Sequence, residues 1–261
     1  MIHPDIYRKR RLELESRVQH PILLMGNGHR YRNYPAVELR FRQDSSFLYY
    51  LGCPMPDVAA ILADGRCVLY VPAPGADDAL WKGEGESAEA LGRRLGVDEV
   101  RFTEALEGDV RALGVRHTLA VADPTRTALA ARLCGLELGV EGPMGPEELV
   151  DAVIVMRRRK GPEEIAELEE AVRVTTIAYE LVMRATRAGE HEASMGALFD
   201  GCLESHGAVP GYGSILTVHG EVLHNEARLF PLEDGGLFLA DAGAEMPSGY
   251  TCDCTRVWPI N

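Results

Sequence analysis

The chain has 261 residues, enough for two domains that each bury a core of their own. Its 46% hydrophobic and 26% charged content is that of an ordinary globular protein, and its formal net charge of -13 disfavours nucleic acid and anionic membrane surfaces as partners. No run approaches the roughly 18 consecutive apolar residues of a membrane span, and the N-terminus becomes charged at Tyr7-Arg8-Lys9-Arg10-Arg11 where a signal peptide would become apolar, so a cytoplasmic protein is expected.

In chain order, Ile22 to Met25 reads as a buried strand. Gly26-Asn27-Gly28 follows it, but Tyr31 stands where a dinucleotide loop needs its third glycine, so the segment is expected to be a turn. Val58 to Ala63 and Arg66 to Val71 form a hairpin around Asp64-Gly65. Leu119 to Ala122 and Leu136 to Val140 are further strand candidates, with helix-like stretches between, giving an α/β layer domain. The turn cluster at 141–146 loosens its end, and the basic run Arg157 to Lys160 is expected to be solvated.

A long helix begins at Pro162, which suits a first turn because its missing N–H would be unpaired there. Ile165, Leu168, Val172, Thr175, Tyr179 and Val182 recur on one stripe. A second helix runs from about Glu192, with Met195, Leu198, Phe199, Cys202 and Leu203 inward and Gly207 ending it. Strands follow at Ser214 to His219, Gly236 to Asp241 and Tyr250 to Trp258. The six cysteines form no C-x-x-C pair and read as small buried hydrophobes. Cys252 and Cys254 lie on the opposite strand face from Asp253, so they could share a site with each other but not with that carboxylate. His219 and His224 flank a turn at Gly220-Glu221, and for His219 the structural reading is preferred.

Asp241 ends one apolar strand and Asp253 lies in the next, with Met246 to Gly249 as the turn between. A hairpin brings the two to neighbouring strands. Carboxylates in such places are neutralised, paired or set against a cation. A divalent cation would relieve both desolvation and mutual repulsion, whereas pairing of Asp253 with Arg256 or with a backbone donor is the structural alternative.

The chain also resembles a known family, the pita-bread metallopeptidases of the Xaa-Pro aminopeptidase (aminopeptidase P) and Xaa-Pro dipeptidase type. The resemblance rests on R-Y-R-N-Y at 30–34, F-R-Q-D-S-S-F-L-Y-Y-L-G at 41–52 with C-P-M-P-D following, Trp81-Lys82-Gly83, and M-R-R-R-K-G-P-E-E-I at 156–165. It continues in V-L-H-N at 222–225, D-A-G-A-E at 241–245 and the block from Tyr250 to Asn261. It implies an α/β creatinase-like N-terminal domain over 1–155 and, over 156–261, the first half of an α+β pita-bread metallopeptidase domain. It further implies two divalent metal ions, manganese first with zinc or cobalt as alternatives, held in part by Asp241 and Asp253. Their shared water would attack the peptide bond between an N-terminal residue and proline.

By the same resemblance His224 is the catalytic, substrate-contacting histidine and Tyr212, in G-Y-G-S-I-L, a substrate-side tyrosine. Asn225 stands where the family commonly has tyrosine. A proline-containing peptide is the expected substrate and a homodimer the expected full-length assembly. The family completes its metal site with one histidine and two glutamates from a second, pseudo-symmetric half-domain. These would lie beyond Asn261, so the chain is expected to be part of a longer peptidase and silent alone. A dipeptidase, or a non-catalytic binding protein on the same scaffold, are the other readings. Limited proteolysis should cut between about Val155 and Pro162 or within 141–146; preferred cleavage inside the 58–71 hairpin would count against this organisation.

Overall fold

A computed structural model describes every residue except Met1, Pro35, Ala76 and Val140, together with the side chain of Lys82. Two compact units divide it, residues 2–159 and 160–261.

The first unit runs α1 (Pro4–Val18), β1 (Ile22–Met25), α2 (Ser45–Leu51), β2 (Ala59–Ala63), β3 (Arg66–Val71), α3 (Asp78–Lys82), α4 (Ala88–Leu95), β4 (Glu99–Phe102), a 3-10 turn, α5 (Leu106–Ala112), β5 (His117–Thr118), α6 (Pro124–Cys134) and α7 (Glu147–Arg158). Its five-stranded sheet has the order β4-β3-β2-β1-β5. Ile22, Leu24, Ala60, Leu62 and Leu69 face one core, while Leu23, Ala59, Ile61 and Tyr70 face another on the opposite side. A sheet covered on both faces explains why β1 reads as an unbroken apolar run.

The hairpin forms as predicted. Asp64 and Gly65 both take positive φ, 53° and 74°, the pairing whose twist matches the flanking strands. Two expected strands do not form. After Thr118 the chain leaves the sheet, because Ala120 N–H donates to Met144 O at 2.7 Å and Val121 N–H to the Thr127 hydroxyl at 2.9 Å. Leu136 instead closes the end of α6 onto Ala131 O, and residues 136–139 run on without strand pairing; Val140 lies outside the described residues. The Gly26–Gly28 segment runs on from β1 as an irregular stretch rather than the expected turn, and the Gly28 and His29 N–H groups donate to the carboxylates of Asp123 and Asp57, the donors a phosphate would need.

The second unit comprises α8 (Pro162–Ala185), α9 (Glu192–Ser205), β6 (Val209–Pro210), β7 (Ile215–Thr217), β8 (Leu237–Ala242), β9 (Ala244–Glu245) and β10 (Cys254–Pro259). The sheet β10-β8-β7 packs one face on the two helices through Phe238, Ala240 and Ala242. Leu237, Leu239 and Asp241 alternate onto the other face. On α8 the buried stripe is Ala171, Val174, Thr175, Ala178, Tyr179 and Val182, whereas Ile165 and Val172 are 43% and 48% exposed. The stripe is thus rotated by about half a residue step from the expected one, because small residues let the helix approach the sheet closely. On α9, Met195, Phe199 and Leu203 are buried as expected, but Leu198 is exposed. Among the described residues no helix is long and apolar enough to cross a membrane.

All six cysteines are free, and Cys53, Cys67, Cys134 and Cys252 are buried. Burial pushes the Cys134 thiol up to about 11 and that of Cys67 to about 12, so both stay protonated and unreactive near neutrality.

One backbone crossing fixes the second sheet. A Cβ on Gly243 would lie 1.8 Å from Cys252 O, so no side chain fits there unless the strands part. Gly243→Ala should therefore destabilise the second unit by about 3 kcal/mol or more. Gly201→Ala, inside α9 with open space around its Cβ, should be neutral or stabilising by up to about 1 kcal/mol. Urea unfolding of the two variants, in which Gly243→Ala proves as stable as Gly201→Ala, would overturn this account of the crossing.

Candidate metal centre

The geometry of the centre begins with that crossing. Thr255 of β10 pairs with Asp241 of β8, and Cys254 with Ala242. The chain then passes over Gly243, and Cys252 N–H donates to Ala244 O at 2.8 Å. Asp253 thus lies just before β10 rather than inside a strand, as the sequence had suggested. Two positions before Thr255, it returns to the face of Asp241, as a diagonal neighbour.

A third segment brings Tyr212. Pro210 pairs with Ala244, and Gly211 N–H donates to Gly243 O at 2.9 Å, laying the G-Y-G turn beside the carboxylates. The Tyr212 hydroxyl lies 2.7 Å from Asp241 Oδ1 and 2.8 Å from Asp253 Oδ1. A phenol has a single proton, so it can donate to only one of them at a time. Two carboxylates and a phenol oxygen therefore converge with a surplus of acceptors. Burial, followed by the hydrogen bonds to Asp241 and Asp253, holds the phenol proton well above its ordinary range. Among the described residues no arginine or lysine pairs with either carboxylate; Arg256 donates to Thr255 O instead. The arrangement fits a cation: an oxygen-rich, doubly anionic cradle suits a hard or borderline divalent ion.

The cradle rests on α8. The Tyr179 hydroxyl sits among the carbonyls of Ala240, Ala242 and Cys254, and Thr175 Oγ1 receives Ala244 N–H at 3.0 Å. Tyr250 and Ser248, in the turn between the aspartates, donate to Glu164 and Glu167. Cys252 and Cys254 meet each other with sulfurs 3.7 Å apart, on the side away from Asp253, as expected.

His224 lies exposed in a loop after β7, and among the described residues its ring makes no hydrogen bond to the aspartates. The structure therefore unites Tyr212, Asp241 and Asp253 but not His224. His219 pairs with Glu221 and packs edge-on against Phe230, consistent with a structural role. Glu192, which sequence reasoning did not single out, holds this loop. Fully buried, its carboxylate accepts from Thr217 Oγ1, Val218 N–H and Phe230 N–H at 2.8–2.9 Å. Arg228 adds bonds to Asp200 and Ser214 O, and Asn225 one to Thr217. A glutamate opening a helix reads as dipole complementation, and nothing in the sequence distinguishes it from a buried anchor.

With this geometry established, the comparisons identify the scaffold. The family model described as "Metallopeptidase family M24" matches residues 166–261, and "Aminopeptidase P, N-terminal domain" matches residues 7–120. The Xaa-Pro aminopeptidase of Escherichia coli (strain K12) is 30% identical over 241 residues, covering 86% of this chain and 54% of that protein. Pseudomonas aeruginosa aminopeptidase PepP shares the fold at a TM-score of 0.86 and 24% identity, over all of this chain and 62% of its own. E. coli aminopeptidase P with the inhibitor Pro-Leu does so at a TM-score of 0.83 and 24% identity, over all of this chain and 63% of its own. The second unit is thus part of an M24 metallopeptidase domain, a class that works with divalent metals, preceded by its characteristic α/β partner domain. The two matches in this order place the chain in the aminopeptidase P family. It spans about half the length of its curated relatives, 49% of one and 54% of another.

The Tyr212 phenol yields a pH-dependent prediction. Unfolded, it loses its proton near pH 10.0, while the folded chain retains it. Above that pH the unfolded state binds fewer protons, so stability falls as pH rises. Tyr212→Phe should cost about 1 kcal/mol near neutrality yet lose stability less steeply above pH 10.0. Equal slopes for wild type and variant in alkaline urea titrations would contradict the assignment.

Proposed function

We propose that the whole protein is a proline-specific metallo-aminopeptidase, cleaving the bond between an N-terminal residue and a following proline. The observation that carries this reading is the convergence of Asp241, Asp253 and the Tyr212 hydroxyl on one face of an M24 sheet. The M24 family is one of metallopeptidases, and the Xaa-Pro specificity is that of the E. coli relative.

In this reading Asp241 and Asp253 are carboxylate ligands of two divalent ions, manganese in the first instance. When bound, such ions supply a lowered pKa for water and polarisation of the scissile carbonyl. Tyr212 orients both carboxylates through one hydroxyl and keeps its proton in doing so. Without it, two like charges would splay, and the ligands would lose the fixed geometry on which positioning depends. His224, on a loop whose stems are tied down by Glu192 and Arg228, is the proposed substrate-contacting group. It has the reach of an exposed side chain and the anchoring of a fixed loop.

These 261 residues place no nitrogen ligand beside the two carboxylates among the described residues, so assayed by themselves they should bind Mn²⁺ weakly and release no amino acid from an Xaa-Pro-Xaa peptide. In the whole protein, Asp241→Asn or Asp253→Asn should remove Mn²⁺ and activity together. His224→Ala should lower kcat by about 100-fold with Mn²⁺ content and melting temperature preserved. The check is release of the first residue from an Xaa-Pro-Xaa tripeptide with parallel metal analysis. Full turnover in His224→Ala would remove that histidine from the mechanism, and full turnover in Asp241→Asn would remove the metal reading.

A further inference from the structure

The first unit carries a convergence of donors that the peptidase reading leaves unused. His20, His117 and Glu148 each present one ligand atom within 4.8 Å of the other two. They come from three separate stretches of chain, and each is fixed by its backbone. His20 is confined between Gln19, which ends α1 in the left-handed conformation at φ 57°, and Pro21, which restricts the residue before it. His117 opens β5 and pairs with Ile22 of β1, so the two histidines sit side by side at one end of the sheet. Their rings stack at 4.6 Å with 9° between planes. Glu148 lies in the first turn of α7. That turn is brought to β5 by the Ala120–Met144 hydrogen bond and by Gly145, where a Cβ would lie 2.6 Å from Thr118 O.

We propose that His20, His117 and Glu148 form a binding site for a zinc-class divalent cation on the N-terminal unit. Two imidazole nitrogens and one carboxylate make a recurrent zinc donor set, and imidazole favours Zn²⁺, Cu²⁺ and Ni²⁺ over Mg²⁺ and Ca²⁺. The site therefore differs in kind from the oxygen cradle of Asp241 and Asp253. His117 Nε2 and Glu148 Oε1 stand 2.5 Å apart with a proton between them, the place the cation takes. Around a tetrahedral Zn²⁺ the donors would be spaced at roughly 3.3–3.5 Å. Glu148 must then withdraw by about 1 Å, and the His20 ring must swing out of its stack and inward by about as much. Both are exposed side chains held, among the described residues, only by these contacts to His117, whereas His117, 13% exposed, is the fixed member. Among the described residues no arginine or lysine pairs with Glu148 to compete for its charge. Bound there, the ion would tie the start of β1, the edge strand β5 and α7 together.

The test uses the 261-residue protein with Asp241→Asn and Asp253→Asn, titrated with ZnCl₂ alone and followed by imidazole ¹⁵N NMR. The resonances of His20 and His117 should shift together and saturate at one equivalent. His20→Ala, an exposed substitution, should leave the fold and melting temperature of the apo protein intact while weakening zinc binding by roughly tenfold or more. Mn²⁺ should leave both histidines unmoved at the same concentration. Zinc affinity unchanged in both His20→Ala and His117→Ala, or shifts confined to the other histidines, would overturn the proposal.

Discussion

The closeness with which Cys252 O crosses Gly243 is the constraint on which the second unit's site depends. It lets β10 pair with β8 up to Ala242 while Thr251 and Cys252, just before β10, bridge to β9, carrying Asp253 round to the face of Asp241. The same glycine offers its carbonyl to Gly211, which sets Tyr212 in place. One residue without a side chain thus joins three segments. Carboxylates on adjacent strands would otherwise repel, and pairing directly across a ladder is unfavourable for like charges. Here the diagonal offset separates their backbones, and a neutral phenol stands between their oxygens.

That local arrangement is affordable because its foundations are apolar and fully bonded. Ala240, Ala242 and Ala244 are small enough to let α8 approach, and the Tyr179 hydroxyl and Thr175 reach strand backbone there. Buried polar groups are tolerated where each finds a partner, and such networks fix a single arrangement more tightly than apolar packing alone. The carboxylates of Asp241 and Asp253 lie away from this packed face, where water or a cation can meet them.

Much of this was legible in the sequence, for reasons that differ by element. The Asp64-Gly65 hairpin and the entry to α8 follow from local backbone rules, and both formed where expected. The carboxylate pair was legible because charged residues in apolar strands demand an explanation. What escaped was decided by tertiary contact. The α1 face buries Arg10 and Arg11, whose guanidinium groups donate to Tyr49 O and Tyr50 O, so its apolar periodicity is weak although the helix is firmly docked. Leu119 to Ala122 has the composition of a strand but finds its hydrogen-bond partners in Met144 and Thr127. The α8 stripe was misplaced because alanines carry little hydrophobic weight in a pattern yet mark the closest approach of helix to sheet. Tyr212 was visible only through the family resemblance, since nothing local says that a G-Y-G turn lies beside two strands far along the chain.

The Glu192 carboxylate receives Val218 and Phe230, residues at opposite ends of the loop that carries His224. A loop whose two feet stand on one buried anion is modular: its tip can be lengthened, shortened or rewritten while the frame beneath keeps its register. Variation in what the site accepts can then accumulate at residues 220–224 without being paid for in foldability. Across descendants of such a scaffold, the anchoring glutamate should change far more slowly than the loop it holds.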